Sequence, residues 1–419
     1  MNKIKVKNLT LKLFPILISL VFLFPILKEN ISSFIIILLC FNLLIYKITS
    51  KDFRFIKFAD LFLTIPFWIV LFTSFFTSNI KNSLTHVQHA LFFLIVPIVF
   101  LLTPKEFFCK KKIDRYLSIL KNTCLIISLI YIVSYFINVP LWKFNFEHYN
   151  DSNFREYIYN EFKLFKIHPT YLTSIIILCS VHSYELVLKQ KKYFQLIYVF
   201  VFLTITFLLL TRLNIVLLVL YLFFMSLFRS SLHTKNRIIL SASIVVLILT
   251  LGVFTPGINR RFTEIINSFG VKPNGLTYDS TNVRKAILDC DLKLANDNWL
   301  KGIGFENLQD DLNNCYKSSY NSNFYLDHNY MTHNYYLYIL ISSGIFGFLF
   351  YMAYIVNLIK IGLQKNIFLL NVLLINTLII CSIEDYFYRQ YGVLYFNLIL
   401  MIFIKFDENN KTNIIEVGV

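Results

Sequence analysis

The feature that most limits what this chain can become is a succession of apolar runs, each close to the thickness of a bilayer. Leu61 to Thr77, Leu84 to Leu102 and Ile238 to Thr255 are three of them. A helix needs ~20 apolar residues to cross a hydrocarbon core of about 30 Å. Taken along the chain, the runs predict helices at about 11–27, 31–48, 61–77, 84–102, 117–137, 170–188, 194–210, 213–229, 238–255, 334–359, 366–383 and 388–405. In lipid every backbone polar group must find its partner inside the protein, which favours helices over open sheets. Composition points the same way: 57% of the 419 residues are hydrophobic and only 15% charged, where soluble domains carry roughly 25%. The expectation is an all-α polytopic membrane protein with about twelve transmembrane helices.

A net charge of +16 would suit a nucleic-acid partner, but its distribution does not. The basic residues fall in short clusters between apolar runs. Lys47/Lys51/Arg54/Lys57, Lys105/Lys110/Lys111/Lys112/Arg115, Lys189/Lys191/Lys192, Arg229/Lys235/Arg237 and Lys360/Lys365 occupy alternate connections. The lysines of the N-terminus, and Lys405 and Lys411 of the tail, fall on that same side. The opposite short connections hold Lys28, Lys81, Arg212 or Arg389 singly. Cytoplasmic loops are enriched in Lys and Arg, so both termini are expected in the cytoplasm and no nucleic acid is expected as a partner. Lys28-Glu29-Asn30 stands where a signal peptide would need small residues, so the first helix is read as retained.

Two long segments then face outward. The chain divides into helices 1–9 over residues 1–255 with an external loop at about 138–169, a large external loop over 256–333 between helices 9 and 10, helices 10–12 over 334–405, and a cytoplasmic tail at 406–419. In the large loop, Ser280-Thr281 is a plausible helix cap. Val283, Ile287, Cys290 and Leu294 recur at helical spacing, predicting an amphipathic helix over 282–296 with Arg284, Leu288 and Asp291 on another face. Gly302-Ile303-Gly304 reads as a turn, since no strand precedes it as a phosphate loop requires. Cys290 and Cys315 are the two cysteines of this loop. Paired, they would stabilise it by ~3 kcal/mol; two free thiols fit the sequence equally well. No metal-site spacing is present in the sequence.

Polar candidates gather at the outer face. Arg212 sits between the apolar runs Ile197–Leu210 and Leu213–Phe228; charges at membrane depth are usually functional, although an arginine snorkelling to lipid phosphate fits as well. His333-Asn334 opens the tenth helix, and Gly344 and Gly347 follow eleven and fourteen residues later. His333 and Gly344 fall within about 20° of each other around the axis, so one face has an imidazole above a small-residue groove. A lone histidine is more often a structural hydrogen-bonder. His168-Pro169-Thr170-Tyr171 opens the sixth helix, where His168 and Tyr171 would either touch a sugar or cap the helix. His86 and His89 share a helix face that could bind a metal but better suits interfacial hydrogen bonds. Glu384, next to Asp385 and near Arg389, would position a substrate hydroxyl or form an interfacial ion pair.

His333-Asn334, nine residues and Gly344-x-x-Gly347 resemble the His-(Asn/Ser/Gln)-x9-Gly-x-x-(Gly/Thr/Tyr) motif of the O-antigen ligase family. Arg284-Lys-Ala-Ile-Leu288 resembles the Arg-x3-Leu element in the periplasmic loops of these ligases and the related O-antigen polymerases. Trp299-Leu-Lys-Gly-Ile-Gly-Phe-Glu-Asn307 is similar to the segment that follows it, with Leu300-Lys301 departing from the usual proline. Thr211-Arg212 resembles the family's Ser-Arg. The resemblance implies a GT-C-like fold in a bacterial inner membrane, with the active site facing the periplasm. It implies transfer of a glycan from undecaprenyl diphosphate to a hydroxyl of lipid A-core or of a growing glycan, inverting and without metal or cofactor. Arg212, Arg284 and His333 match the catalytic positions, and Asn334, His168, Tyr171, Glu384 and Arg389 are candidates for substrate binding. Within the resemblance a ligase, a polymerase and a protein O-oligosaccharyltransferase remain open. A glycolipid transporter or flippase is the reading from another class, although such proteins tend to show repeated halves and helices broken near the midplane.

Overall fold

The computed structural model describes residues 3–51, 56–76, 80–140, 153–162, 167–230, 233–254, 263–264, 266–268, 270–275 and 278–406. The expected tail from residue 407 onward, and parts of both long loops (141–152, 163–166 and 255–262), lie outside the described residues.

Each of the twelve apolar runs carries helix. The main elements are α1 (Lys3–Val21), α2 (Glu29–Ser50), α3 (Ile65–Ser74), α4 (Ile80–Ala90), α5 (Phe92–Leu102), α6 (Lys110–Asn138), α7 (Pro169–Gln190) and α8 (Leu196–Leu208). They continue with α9 (Arg212–Phe228), α10 (Thr234–Phe254), α11 (Ser280–Asn298), α12 (Leu308–Ser319), α13 (Tyr335–Lys365), α14 (Phe368–Cys381) and α15 (Gln390–Lys405). The described residues contain no strand, only an isolated bridge between Gly275 and Ser322. Five stretches are long and apolar enough to cross a membrane: Glu29–Ser50, Lys81–Leu102, Lys110–Asn138, Pro169–Gln190 and Tyr335–Lys365. Several runs are less regular than their composition suggests. The 61–77 run opens as a 3-10 turn over Phe58–Thr64 and becomes α-helical only where Pro66 suits a first helical turn. The 84–102 run is two helices, α4 and α5, meeting at Leu91.

The centre of the bundle is α7, which packs against α6, α8, α9 and α14 and is buried along most of its length. Its serines and threonines let neighbours approach closely and hydrogen-bond across helices. Asn376 Nδ2 of α14 donates to Ser174 Oγ at 3.0 Å, and Ser174 Oγ shares a 2.9 Å bond with the Tyr386 hydroxyl. The stretch Gly392–Phe403 of α15 is buried on all sides, as a helix apolar around its whole circumference should be.

The external helix forms as expected, beginning two residues earlier and ending two later than its spacing predicts. Its cap is Asp279, whose side chain accepts from Thr281 and Asn282 N–H groups while Asn282 reciprocates, so Ser280 and Thr281 lie inside α11. Arg284 and Leu288 face outward, but Asp291 is buried, lying between Ile287 (about 40° away around the axis) and Arg284 (about 20°). Cys290 and Cys315 are disulfide-bonded, tying α11 to α12 with their Cα atoms 5.9 Å apart.

The largest departure is in α13. Its helix breaks at Gly344 (φ 67°, ψ −172°), and the groove expected beneath His333 is filled by the chain that follows α11. Ile303 and Gly304 N–H donate to Ile341 and Ser342 carbonyls at 3.0 and 2.9 Å, and Ile345 N–H donates to Trp299 O at 2.7 Å. Gly302 and Gly344 stand face to face at this seam. A Cβ on either would strike the other segment's backbone, and both have positive φ. Gly347 instead lies against Ile69 of α3.

Candidate functional site

One end of the bundle carries a cavity of about 130 Å³ lined by Arg155, Thr170, Leu210 to Asn214, Ser280, Arg284, Ile383 and Glu384. Three helices begin at its rim: α7 beside Thr170, α9 at Arg212 and α11 at Ser280. Helix N-termini carry positive potential, which favours an anion, although the first N–H groups of α7 and α11 are already capped by His168 and Asp279. Three guanidinium groups add to that field.

Each arginine is held differently. Arg212 opens α9, and its Nη2 donates to Ser280 Oγ at 3.1 Å and lies 3.5 Å from Glu264 Oε2. Arg284, on the first turns of α11, lies 3.6 Å from Glu384 Oε1. Arg155 comes from the shorter external loop and donates from Nη1 to Leu210 O at 3.4 Å, supporting the positive-φ corner between α8 and α9. Burial pushes its guanidinium down from the ordinary value, with Glu156 and Glu384 opposing that shift. No local pattern in the sequence singles out Arg155. Only chain folding brings it to Arg212.

Glu384 joins the cavity to His333. Its Oε2 lies 3.3 Å from His333 Nδ1, while Oε1 faces Arg284. Burial alone would raise this carboxyl, but the hydrogen bond and charge of His333, with Arg284 and His168, outweigh it and hold Glu384 down at about 2. The carboxylate is therefore ionised throughout the neutral range and orders the ring beside it.

The backbone of His333 is fixed as firmly as its ring. The residue adopts φ 46°, a left-handed conformation unusual for a side chain with a Cβ. Its N–H donates to Asp385 Oδ2 at 2.9 Å, and the Thr332 hydroxyl hydrogen-bonds to the other Asp385 oxygen. Asp385 is buried, and burial raises its carboxyl despite these partners. Behind it lies Asp291, whose two oxygens have no hydrogen-bond partner among the described residues. Burial, and then the charge of Asp385, push Asp291 up to about 9, so it is protonated at neutral pH.

The remaining sequence candidates divide. Asn334 caps α13, its side chain accepting from Tyr336 and Leu337 N–H. His168 caps α7 through a 3.4 Å bond from Thr170 N–H to Nδ1, packs against Tyr159 and Tyr171, and is pushed by burial down to about 3. Tyr171 is buried, stacked on Tyr386 at 5.0 Å, and donates to Asp385 O at 3.3 Å. These three support the site from behind. Arg389 is not in the cavity wall. It stands at the N-cap position of α15 without a side-chain capping bond, and its charge bears on Glu29 at the start of α2.

Residues 197–352 match the family model described as O-Antigen ligase. This match supports the resemblance to the O-antigen ligase family over that stretch of the chain. No curated protein matches the chain. The O-antigen ligase stretch runs from α8 into α13 and contains Arg212, Arg284, His333 and the break at Gly344. Arg155, Glu384 and Asp385 lie outside it, yet fold against its functional end. The match and the five long apolar helices together suggest a bacterial membrane protein similar to O-antigen ligases.

Proposed function

We propose that the protein transfers a glycan from undecaprenyl diphosphate to an acceptor hydroxyl at the periplasmic face of the inner membrane, with inversion and without a metal ion. The observation that carries this reading is the convergence of Arg155, Arg212 and Arg284 on one cavity whose remaining wall, Glu384, holds His333. A guanidinium fork can bind phosphate oxygens in bidentate fashion, and charge grows on those oxygens as the sugar leaves. Arg212 and Arg284 bind the diphosphate in this scheme and stabilise it as leaving group. With Nδ1–H donating to Glu384, the Nε2 of His333 is left unprotonated to accept the proton of the attacking hydroxyl. The distribution of lysine and arginine between the connections supports the orientation, with the cavity end outward.

Purified protein given lipid-linked glycan and acceptor should form the transferred product, and His333→Ala should form none while inserting normally. Product formation by that variant at the wild-type rate would remove the histidine from the mechanism. The lipopolysaccharide ladder of a deletion strain separates the finer possibilities. Accumulated lipid-linked polymer marks a ligase, core capped by one repeat a polymerase, and an unchanged ladder with lost glycoprotein staining a protein glycosyltransferase.

A further inference from the structure

We infer that α11 lies flat in the membrane boundary at the cavity end, with Leu288, Leu292 and Trp299 of its underside among lipid acyl chains. The inference rests on the membrane reading alone, not on the glycan chemistry proposed above. An exposed apolar stripe singles out this helix. Leu292 and Trp299 are 52% and 54% exposed, and Leu288 41%. Leu292 stands about 40° and Trp299 about 20° around the axis from Leu288, so the three form one narrow line. Arg284 and Lys285 flank it, and the exposed Leu300 and Lys301 follow it. An apolar line rimmed by charge marks a contact surface.

The height of α11 follows from its two neighbours. The guanidinium of Arg229, just beyond α9, lies 4.0 Å over the ring of Phe368, which closely follows Lys365 at the end of α13. The two helices therefore end at about one level. Counted up from that level, Arg212 stands about 25 Å along α9 and Ile345 about 30 Å along α13. The external helix begins at the first and finishes at the second. Ser280 Oγ accepts from Arg212 Nη2 at 3.1 Å, and Trp299 O accepts from Ile345 N–H at 2.7 Å. Its ends are thus nearly level over a length of about 28 Å, one hydrocarbon thickness away from the basic ends. Just below, Phe346, Leu349 and Phe350 of α13 are exposed and apolar, as a lipid-facing wall should be. Trp299 and Lys301 stand at the top of that wall, where membrane proteins place their interfacial anchors.

Which side of α11 meets lipid is set by α12. Cys290 points at α12 through its disulfide to Cys315, and Leu288, Leu292 and Trp299 lie about 160–180° around the axis from Cys290. Asp310, Asn314 and Lys317 of α12 are exposed, so that helix belongs in water. The stripe on the opposite side is then turned toward the bilayer. A helix with an apolar line and basic flanks binds an interface through buried apolar area and attraction to anionic headgroups. The bilayer thereby becomes a further support for the helix that carries Arg284.

The test is fluorescence of the full-length protein in nanodiscs with Trp299 as its sole tryptophan, Trp68 and Trp142 being replaced by phenylalanine. Lipid brominated near the headgroup end of its acyl chain should remove about half of the emission, and lipid brominated near the chain tip much less. Leu288→Asp combined with Leu292→Asp should lower that quenching about twofold and raise quenching by aqueous acrylamide. The disulfide-linked peptide of Cys290 and Cys315, seen by mass spectrometry, checks that α11 and α12 still fold together in that variant. Quenching by acrylamide but not by brominated lipid would turn the stripe to water and overturn the inference. Quenching by neither would put a second copy or another protein on the stripe, and overturn it equally. Stronger quenching from the chain tip would overturn the placement at the boundary, and quenching unchanged in the double variant would overturn the leucines as anchors.

Discussion

Two histidine clusters stand at the same end of the bundle, and their surroundings differ in kind. His333 has a carboxylate on its ring, a second carboxylate on its backbone and a cavity with three arginines beside it. His86 and His89 sit among Phe305, Tyr338 and Tyr388, around a space of about 10 Å³ that barely admits a water. The Nδ1 of His86 faces the Tyr338 hydroxyl at 3.3 Å, and His89 Nδ1 has no hydrogen-bond partner among the described residues. An imidazole does acid–base work only where a charged neighbour sets its tautomer and a reactant can reach it. The first cluster provides both, and the second is aromatic packing with polar edges.

The contrast can be broken most directly at His333. Replacement by alanine should lower transfer by about 10²–10⁴-fold, the range for loss of a general base, with expression and insertion retained. Arg284→Lys should follow with a loss of roughly tenfold to a hundredfold, since lysine keeps the charge but not the fork. Arg155→Ala should raise the KM for donor more than it lowers kcat if the guanidinium contacts phosphate.

Next comes Glu384→Gln, read by thermal unfolding against pH. The folded carboxyl is held below its ordinary value, so its stabilising contribution is complete above about 4.5 and drains as pH falls toward about 2. The stability gap between wild type and variant should be present at pH 5 and close as pH falls toward about 2. A gap that persisted undiminished there would mean that Glu384 is not the ionised partner of His333 and Arg284. The smallest effect belongs to the other cluster: His86→Phe should change transfer by less than about threefold, because packing rather than proton transfer is altered. A loss matching that of His333→Ala would erase the distinction between the two histidines.

Much of this contrast was legible in the residues alone. Arg212 stood out as a lone charge between apolar runs, and the spacing from His333 to Gly344 marked the start of α13. The meaning of Gly344 was hidden, because a glycine at helical spacing looks the same whether it admits a neighbouring helix or breaks its own. Arg155 was hidden for another reason. Its partners Leu210 and Glu384 are far along the chain, and no local periodicity encodes such contacts. Asp291 illustrates the limit of face counting, since it lies only about 20° around the axis from the outward Arg284 and is nonetheless buried. The expected groove under His333 reflected the same limit. The sequence contained both partners of the seam, Gly302 and Gly344, but nothing that paired them.

That seam also decides where this chain can change length. Trp299–Gly304 is bonded into the break of α13, and the strand of chain from Phe305 to Thr332 leaves and returns to the same anchored helix. Residues inserted near the exposed Asn329 would enlarge a loop whose two ends are already fixed, and cost little. One residue inserted between Asn298 and Gly304 would shift every carbonyl out of register with α13, and carry Arg284 away from His333. Relatives of this protein should therefore vary in size on one side of the staple and keep a constant count on the other.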